Sequence, residues 1–188
     1  MTLRTDLSLH LPDWVAGAVD TSTALPSDED KMRLAVRLAR LNVEHRTGGP
    51  FGAAVFAEES GLPVSVGVNT VIPSACSVAH AETLAFALAQ RAVGAHRLDL
   101  ADDRFVLVSS AQPCSMCFGA LPWSGIQRLV FGATREDVEG LTDFDEGPLP
   151  AGWKDDLLAR GIAVTGGVLR EEACAVLRDY MAANGGTY

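Results

Sequence analysis

The chain has 188 residues, 48% of them hydrophobic and 21% charged, a balance that supports one folded domain with a buried core and argues against intrinsic disorder. Fifteen Lys and Arg face 24 Asp and Glu, a formal net charge of −9. That balance speaks against a nucleic-acid substrate, because such binders carry a basic face that neutralises phosphates. No apolar run approaches the roughly 18 residues of a membrane span, and Met1–Asp6 lacks the charged-then-apolar pattern of a signal peptide. The chain therefore reads as soluble and cytoplasmic, with no membrane partner.

Residues 1 to about 26 read as an irregular arm, with Pro12, Pro26 and the Thr21-Ser22-Thr23 cluster. A domain covering 27–188 follows. Ser27 is a good N-cap, and Asp28, Glu29 and Asp30 suit the first turn of a helix that Gly48-Gly49 stops. Phe51 to Phe56 and Val64 to Val71 read as strands joined by a turn through Gly61. Leu84, Ala85, Leu88 and Ala89 recur at helical spacing within Val78 to Val93. Phe105 to Ser109 reads as a buried strand, Cys114 to Trp123 as a helix, and Leu129 to Phe131 as a strand. A long loop spans Arg135 to Pro150, then a strand from Ile162 to Thr165 and a helix from Leu169 to Ala183. Strands alternating with helices predict an α/β sandwich around a central sheet.

Chemistry concentrates in His80-Ala81-Glu82 and Pro113-Cys114-Ser115-Met116-Cys117. Both motifs fall at predicted helix starts, where free backbone N–H groups and the helix dipole favour a thiolate. His80, Cys114 and Cys117 supply one nitrogen and two sulfur ligands for Zn2+, and three protein ligands leave an open tetrahedral position for water. Bound zinc lowers the pKa of that water to roughly 7. Glu82, two residues from His80, can reach the water as a general base without ligating the metal. A structural zinc site needs a fourth protein ligand. His10, His45 and His96 read as exposed or loop histidines, and Cys76 and Cys174 as small apolar core residues. A redox C-x-x-C has no need of His80-Ala81-Glu82. The catalytic reading prevails.

The H-x-E and P-C-x-x-C pattern resembles the cytidine-deaminase-like superfamily of zinc deaminases. Gly48-Gly49-Pro50-Phe51-Gly52-Ala53, Gly67-Val68-Asn69, Trp123-Ser124-Gly125, Phe144-Asp145-Glu146-Gly147-Pro148 and the tail Asn184-Gly185-Gly186-Thr187-Tyr188 extend the likeness to its bacterial guanine deaminases. The resemblance implies a three-layer α-β-α sandwich on a mixed five-stranded sheet. It also implies a homodimer that can exchange C-terminal segments to close the site. It assigns Asn69 to the purine, Phe51 and Trp123 to the faces of its ring, Glu146 to its edge as a second catalytic carboxylate, and Tyr188 to a lid. One departure is Gln112, where the group usually has Glu in a position behind the zinc ligands. Pro122 would also disturb the last turn of its helix.

Without that resemblance, Phe51 and Trp123 would read as core aromatics, Asn69 as a turn residue and Glu146 as part of a solvated acidic stretch. The expected activity is hydrolytic deamination of a guanine-like base to xanthine and ammonia. The alternatives are other amino-heterocycles or nucleosides (ammeline, guanosine, cytosine, cytidine), or a silent module that binds a base.

Overall fold

The computed structural model describes residue 3, residues 5–183 and residues 185–187. Five strands, β1 (Gly52–Ala57), β2 (Pro63–Val68), β3 (Phe105–Ala111), β4 (Arg128–Ala133) and β5 (Ala163–Gly166), form one sheet in the order β2-β1-β3-β4-β5. The β2–β1 and β1–β3 pairs are antiparallel, whereas β3–β4 and β4–β5 are parallel. The helices are α1 (Trp14–Ala18), α2 (Asp28–Glu44), α3 (Val71–Ser74), α4 (Ala81–Val93), α5 (Ser115–Ser124), α6 (Arg135–Leu141), α7 (Trp153–Leu158) and α8 (Arg170–Ala182). None of them is long and apolar enough to cross a membrane.

Side chains alternate across a strand, so successive residues of the central strands enter two different cores. Ala54 and Phe56 of β1 and Val106 and Val108 of β3 pack beneath α2, α6 and α8. Ala53 and Val55 of β1 and Leu107 of β3 pack beneath α4, α5 and α7. Burial on both faces explains why these strands read as unbroken apolar runs. The expected three-layer sandwich is the one observed.

Because β1 runs against both neighbours, its start, the end of β2 and the end of β3 lie at one edge of the sheet. Gly52 pairs with Val68, and Ala53 with Ser109. Phe51, Asn69 and Gln112, the residues just beyond these ends, are thereby gathered together. Helix α4 is drawn to the same edge by the absence of a side chain at Gly67. A Cβ there would lie 2.0 Å from the carbonyl oxygen of Ala81, so β2 and the first turn of α4 touch backbone to backbone.

Ser27 caps α2 as expected, its hydroxyl accepting from the Asp30 N–H at 3.1 Å. The loop expected over 135–150 is in fact partly helical. Thr134 and Asp137 form a reciprocal capping box and Val138 buries the inner face of α6. The second strand stops at Val68, and 71–74 make a single helical turn in which the Val71 N–H donates to Asn69 Oδ1 at 3.2 Å. The arm is not wholly irregular either. It carries α1, buries Val15, and stacks Trp14 on His45 with ring centroids 5.3 Å apart. Helix α5 continues through Pro122 to Ser124 and ends at Gly125. Gly185 and Gly186 fold back on their own helix: the Gly185 N–H donates to the Tyr180 carbonyl at 3.0 Å and the Tyr180 hydroxyl to Gly186 O at 2.5 Å.

Candidate active site

His80 is the N-cap of α4 and Cys114 the N-cap of α5, both with extended backbone, so each side chain projects beside a helix start. Cys117 follows three residues on, and one helical turn returns its sulfur to the same side. His80 Nδ1 lies 3.6 Å from both the Cys114 and the Cys117 Sγ. Nitrogen and sulfur ligands on a tetrahedral zinc, at bond lengths near 2.0 and 2.3 Å, stand about 3.5 Å apart. All three ligand atoms fall within 4.8 Å of one another. The spacing fits the ion.

The electrostatics fit it as well. Hydrogen bonding from Cys117 and then from His80 holds the Cys114 thiol at about 4, despite burial. Cys117 is pushed upward by its hydrogen bond to Cys114 and by burial. Burial alone would lower His80, but the Cys114 hydrogen bond and the Glu82 charge outweigh it and raise it. Glu82, only 6% exposed, is raised by burial and by the Cys114 charge. Glu146 is pushed up to about 8 by burial, the Cys114 charge and Glu82. Four acids thus crowd one site largely withdrawn from water, and the Cys114 charge opposes ionisation of the other three. A divalent cation held by His80, Cys114 and Cys117 would reverse that logic and make both sulfurs thiolates.

The cavity over this cluster is lined by Phe51, Asn69, His80, Glu82, Ala111, Gln112, Cys114, Phe144, Asp145 and Glu146. Asn69 is 1% exposed. Its Oδ1 is taken by the Val71 N–H, an assignment forced because a backbone N–H can only donate, which leaves the Nδ2 donor for the cavity. Glu146 is held over α5 by Ser115, whose N–H donates to Glu146 O at 2.9 Å and whose hydroxyl donates to Pro148 O at 2.7 Å.

Seven of the nine residues singled out in the sequence therefore converge: His80, Cys114 and Cys117 as ligands, with Glu82, Glu146, Asn69 and Phe51 around them. Trp123 does not join them. It stands 75% exposed near the end of α5 and does not line the cavity. It lies nine positions after Cys114, an axial rise of about 13 Å. Tyr188 lies outside the described residues. Two further residues belong to the wall. Phe144 meets Phe51 edge-on at 5.2 Å and stacks on Tyr180 at 6.1 Å. Gln112 also lines the cavity, rather than standing behind the ligands, while its Oε1 accepts from the Arg135 N–H at 3.3 Å. Their position was marked in the sequence, by the loop before Glu146 and by the Pro113-Cys114 that follows Gln112, but their role was not.

Comparison with known proteins agrees with this fold. A guanine deaminase from Nitrosomonas europaea is 44% identical, covering 97% of this chain and 100% of that one with a TM-score of 0.89. The structure of NE0047 in complex with 2,6-diaminopurine is 46% identical over 97% of this chain and 96% of that one, with a TM-score of 0.90. A guanine deaminase of Bacillus subtilis (strain 168) is 35% identical over 110 residues, 58% of this chain and 67% of that protein. The family described as the cytidine and deoxycytidylate deaminase zinc-binding region matches residues 25–133. With the ligand set, the neighbouring carboxylate and more than half of the chain in agreement, this protein belongs to the cytidine and deoxycytidylate deaminase family.

Proposed function

We propose that this protein hydrolyses the exocyclic amine of guanine, taking up water and yielding xanthine and ammonia. The observation that carries the proposal is one cavity in which a buried Glu82 stands beside the ligand cluster while Asn69, Phe51 and Glu146 face it. The near full-length likeness to a guanine deaminase supports the choice of base.

Zinc held by His80, Cys114 and Cys117 would supply a water acidic enough to be activated at neutral pH. Glu82 takes a proton from the water that adds to C2 and returns one to the departing amine. Its burial suits both tasks, because a carboxyl withdrawn from bulk water exchanges its proton with the reacting groups rather than with solvent. Asn69 Nδ2 donates to an acceptor on the base, Phe51 bears on the ring, and Glu146 offers a second carboxyl for protons exchanged with the base edge. Phe144 backs Phe51 and so shapes the same slot.

Ammonia release measured across guanine, ammeline, guanosine, cytosine, cytidine and adenine tests the reading. Guanine is expected to be turned over fastest, and release from none of them by a zinc-loaded protein would sink it. Asn69→Ala is expected to lower kcat/KM for guanine about 10- to 100-fold, chiefly through KM, since a buried hydrogen bond to the base is lost. Steady-state kinetics with a zinc assay of the variant checks this.

The same reading extends to assembly and compartment. Helix α5 is apolar around its circumference, as a helix buried on every side would be, yet Trp123 stands exposed. A second copy of the chain covering that face is the assembly that fits, and light scattering is expected to return twice the chain mass. None of the four cysteines is paired in a disulfide, which suits the reducing cytoplasm.

A further inference from the structure

We infer that Asn42 is a positioning residue for the substrate cavity, and that the N-terminal segment, through Trp14 and Thr47, braces it from outside the cavity. The inference rests on the functional reading only for what the cavity binds. Asn42 lies on α2, is fully buried, and does not line the cavity. Its Nδ2 donates at 2.8 Å to two carbonyls, Gly49 O and Asn69 O. Those carbonyls belong to the two segments that carry Phe51 and Asn69. The segments also bond each other, because the Asn69 N–H donates to Phe51 O at 3.1 Å.

The two carbonyls can only accept, so they fix which end of the Asn42 amide faces them, and contacts outside the cavity hold its other end. The Trp14 indole Nε1–H can only donate, and it reaches Thr47 Oγ1 at 3.0 Å. Thr47 Oγ1 lies 2.7 Å from Asn42 Oδ1, where its own proton is the donor. The amide is therefore locked with its oxygen towards Thr47 and its two N–H groups towards the carbonyls. Gly48 completes the clamp. A Cβ there would fall 1.8 Å from Asn69 O and 2.9 Å from Asn42 Nδ2, so only glycine lets the two segments close on the amide.

One hydroxyl thus braces the amide whose two bonds hold the cavity wall. Thr47→Val removes it with little change of shape, and Trp14→Phe removes the indole donor while keeping a ring against His45. These milder variants stand beside Asn42→Ala, which leaves two buried carbonyls without their donor and can fail to fold.

In zinc-loaded protein, Thr47→Val is expected to raise KM for guanine roughly 3- to 10-fold with kcat and zinc content held, the size of a displaced hydrogen bond to substrate. Amide hydrogen exchange at Asn69 and Val71 is expected to accelerate in the same variant without ligand, while exchange in the central strands is unchanged. Trp14→Phe should move both readouts in the same direction and by less. An unchanged KM together with unchanged exchange at Asn69 and Val71 overturns the inference. A uniform loss of stability and kcat with KM constant also overturns it, because that marks a purely structural role. Failure of the wild-type protein to release ammonia from guanine strikes the proposed function instead, and the exchange measurement still decides the role of Asn42.

Discussion

Glu82→Gln is expected to bind zinc at the wild-type stoichiometry while losing about 10²- to 10⁴-fold in kcat, the range for removing a positioned general acid–base group. The substitution keeps size and burial and removes only the ability to take a proton. His80, Cys114 and Cys117 already form the ligand set without Glu82, so the metal should stay. Burial of Glu82 makes the neutral amide easy to accommodate, and the variant should be at least as stable as the parent. Metal analysis beside turnover separates the outcomes. Loss of zinc would make Glu82 a ligand, and turnover close to that of the parent would remove it from the proton path.

The second large effect is at the metal. Cys117→Ala is expected to abolish zinc retention and ammonia release together, whereas chelation of the parent protein should do the same reversibly. Cys117 is fully buried, and its sulfur is one of only three protein ligand atoms, so no nearby Cys or His among the described residues can take its place. Zinc bound to the folded chain also stabilises it by mass action, by about 4 kcal/mol at a thousandfold excess over Kd. For a chain of this length that amounts to a melting temperature higher by roughly 10 °C. Adding zinc back should restore activity and melting temperature in the chelated parent and neither in the variant. Retained activity in metal-free protein would contradict the assignment.

The helix starts show how much of this centre can be read along the chain. His80 is expected in the first turn of a helix beginning near Val78, and the structure begins that helix at Ala81 with His80 as its N-cap; Cys114, expected to open its helix, caps it. Ser27 behaves likewise. The missed helix α6 had a local signal, Thr134 three residues before Asp137, hidden by the expectation of an acidic loop. The fate of Trp123 had none. Its sequence neighbours are compatible with a core aromatic or a ring-flanking residue, and only its exposure near the end of α5 excludes the first.

Asn42 marks the same boundary from the other side. Nothing around it on α2 distinguishes it from a polar residue facing water. It acquires a role because Gly48 and Gly67 admit backbones that lie far apart in sequence, and because antiparallel pairing of β1 brings Phe51 and Asn69 to one edge. The sequence by itself determined the reaction class, since zinc ligation and the proton-carrying carboxylate depend on residue type and spacings of two and three positions. Only the tertiary structure decided which side chains wall the cavity. That choice depends on strand order, close backbone approach and directed hydrogen bonds between residues far apart in the chain, such as Asn42 and Asn69, 27 positions apart.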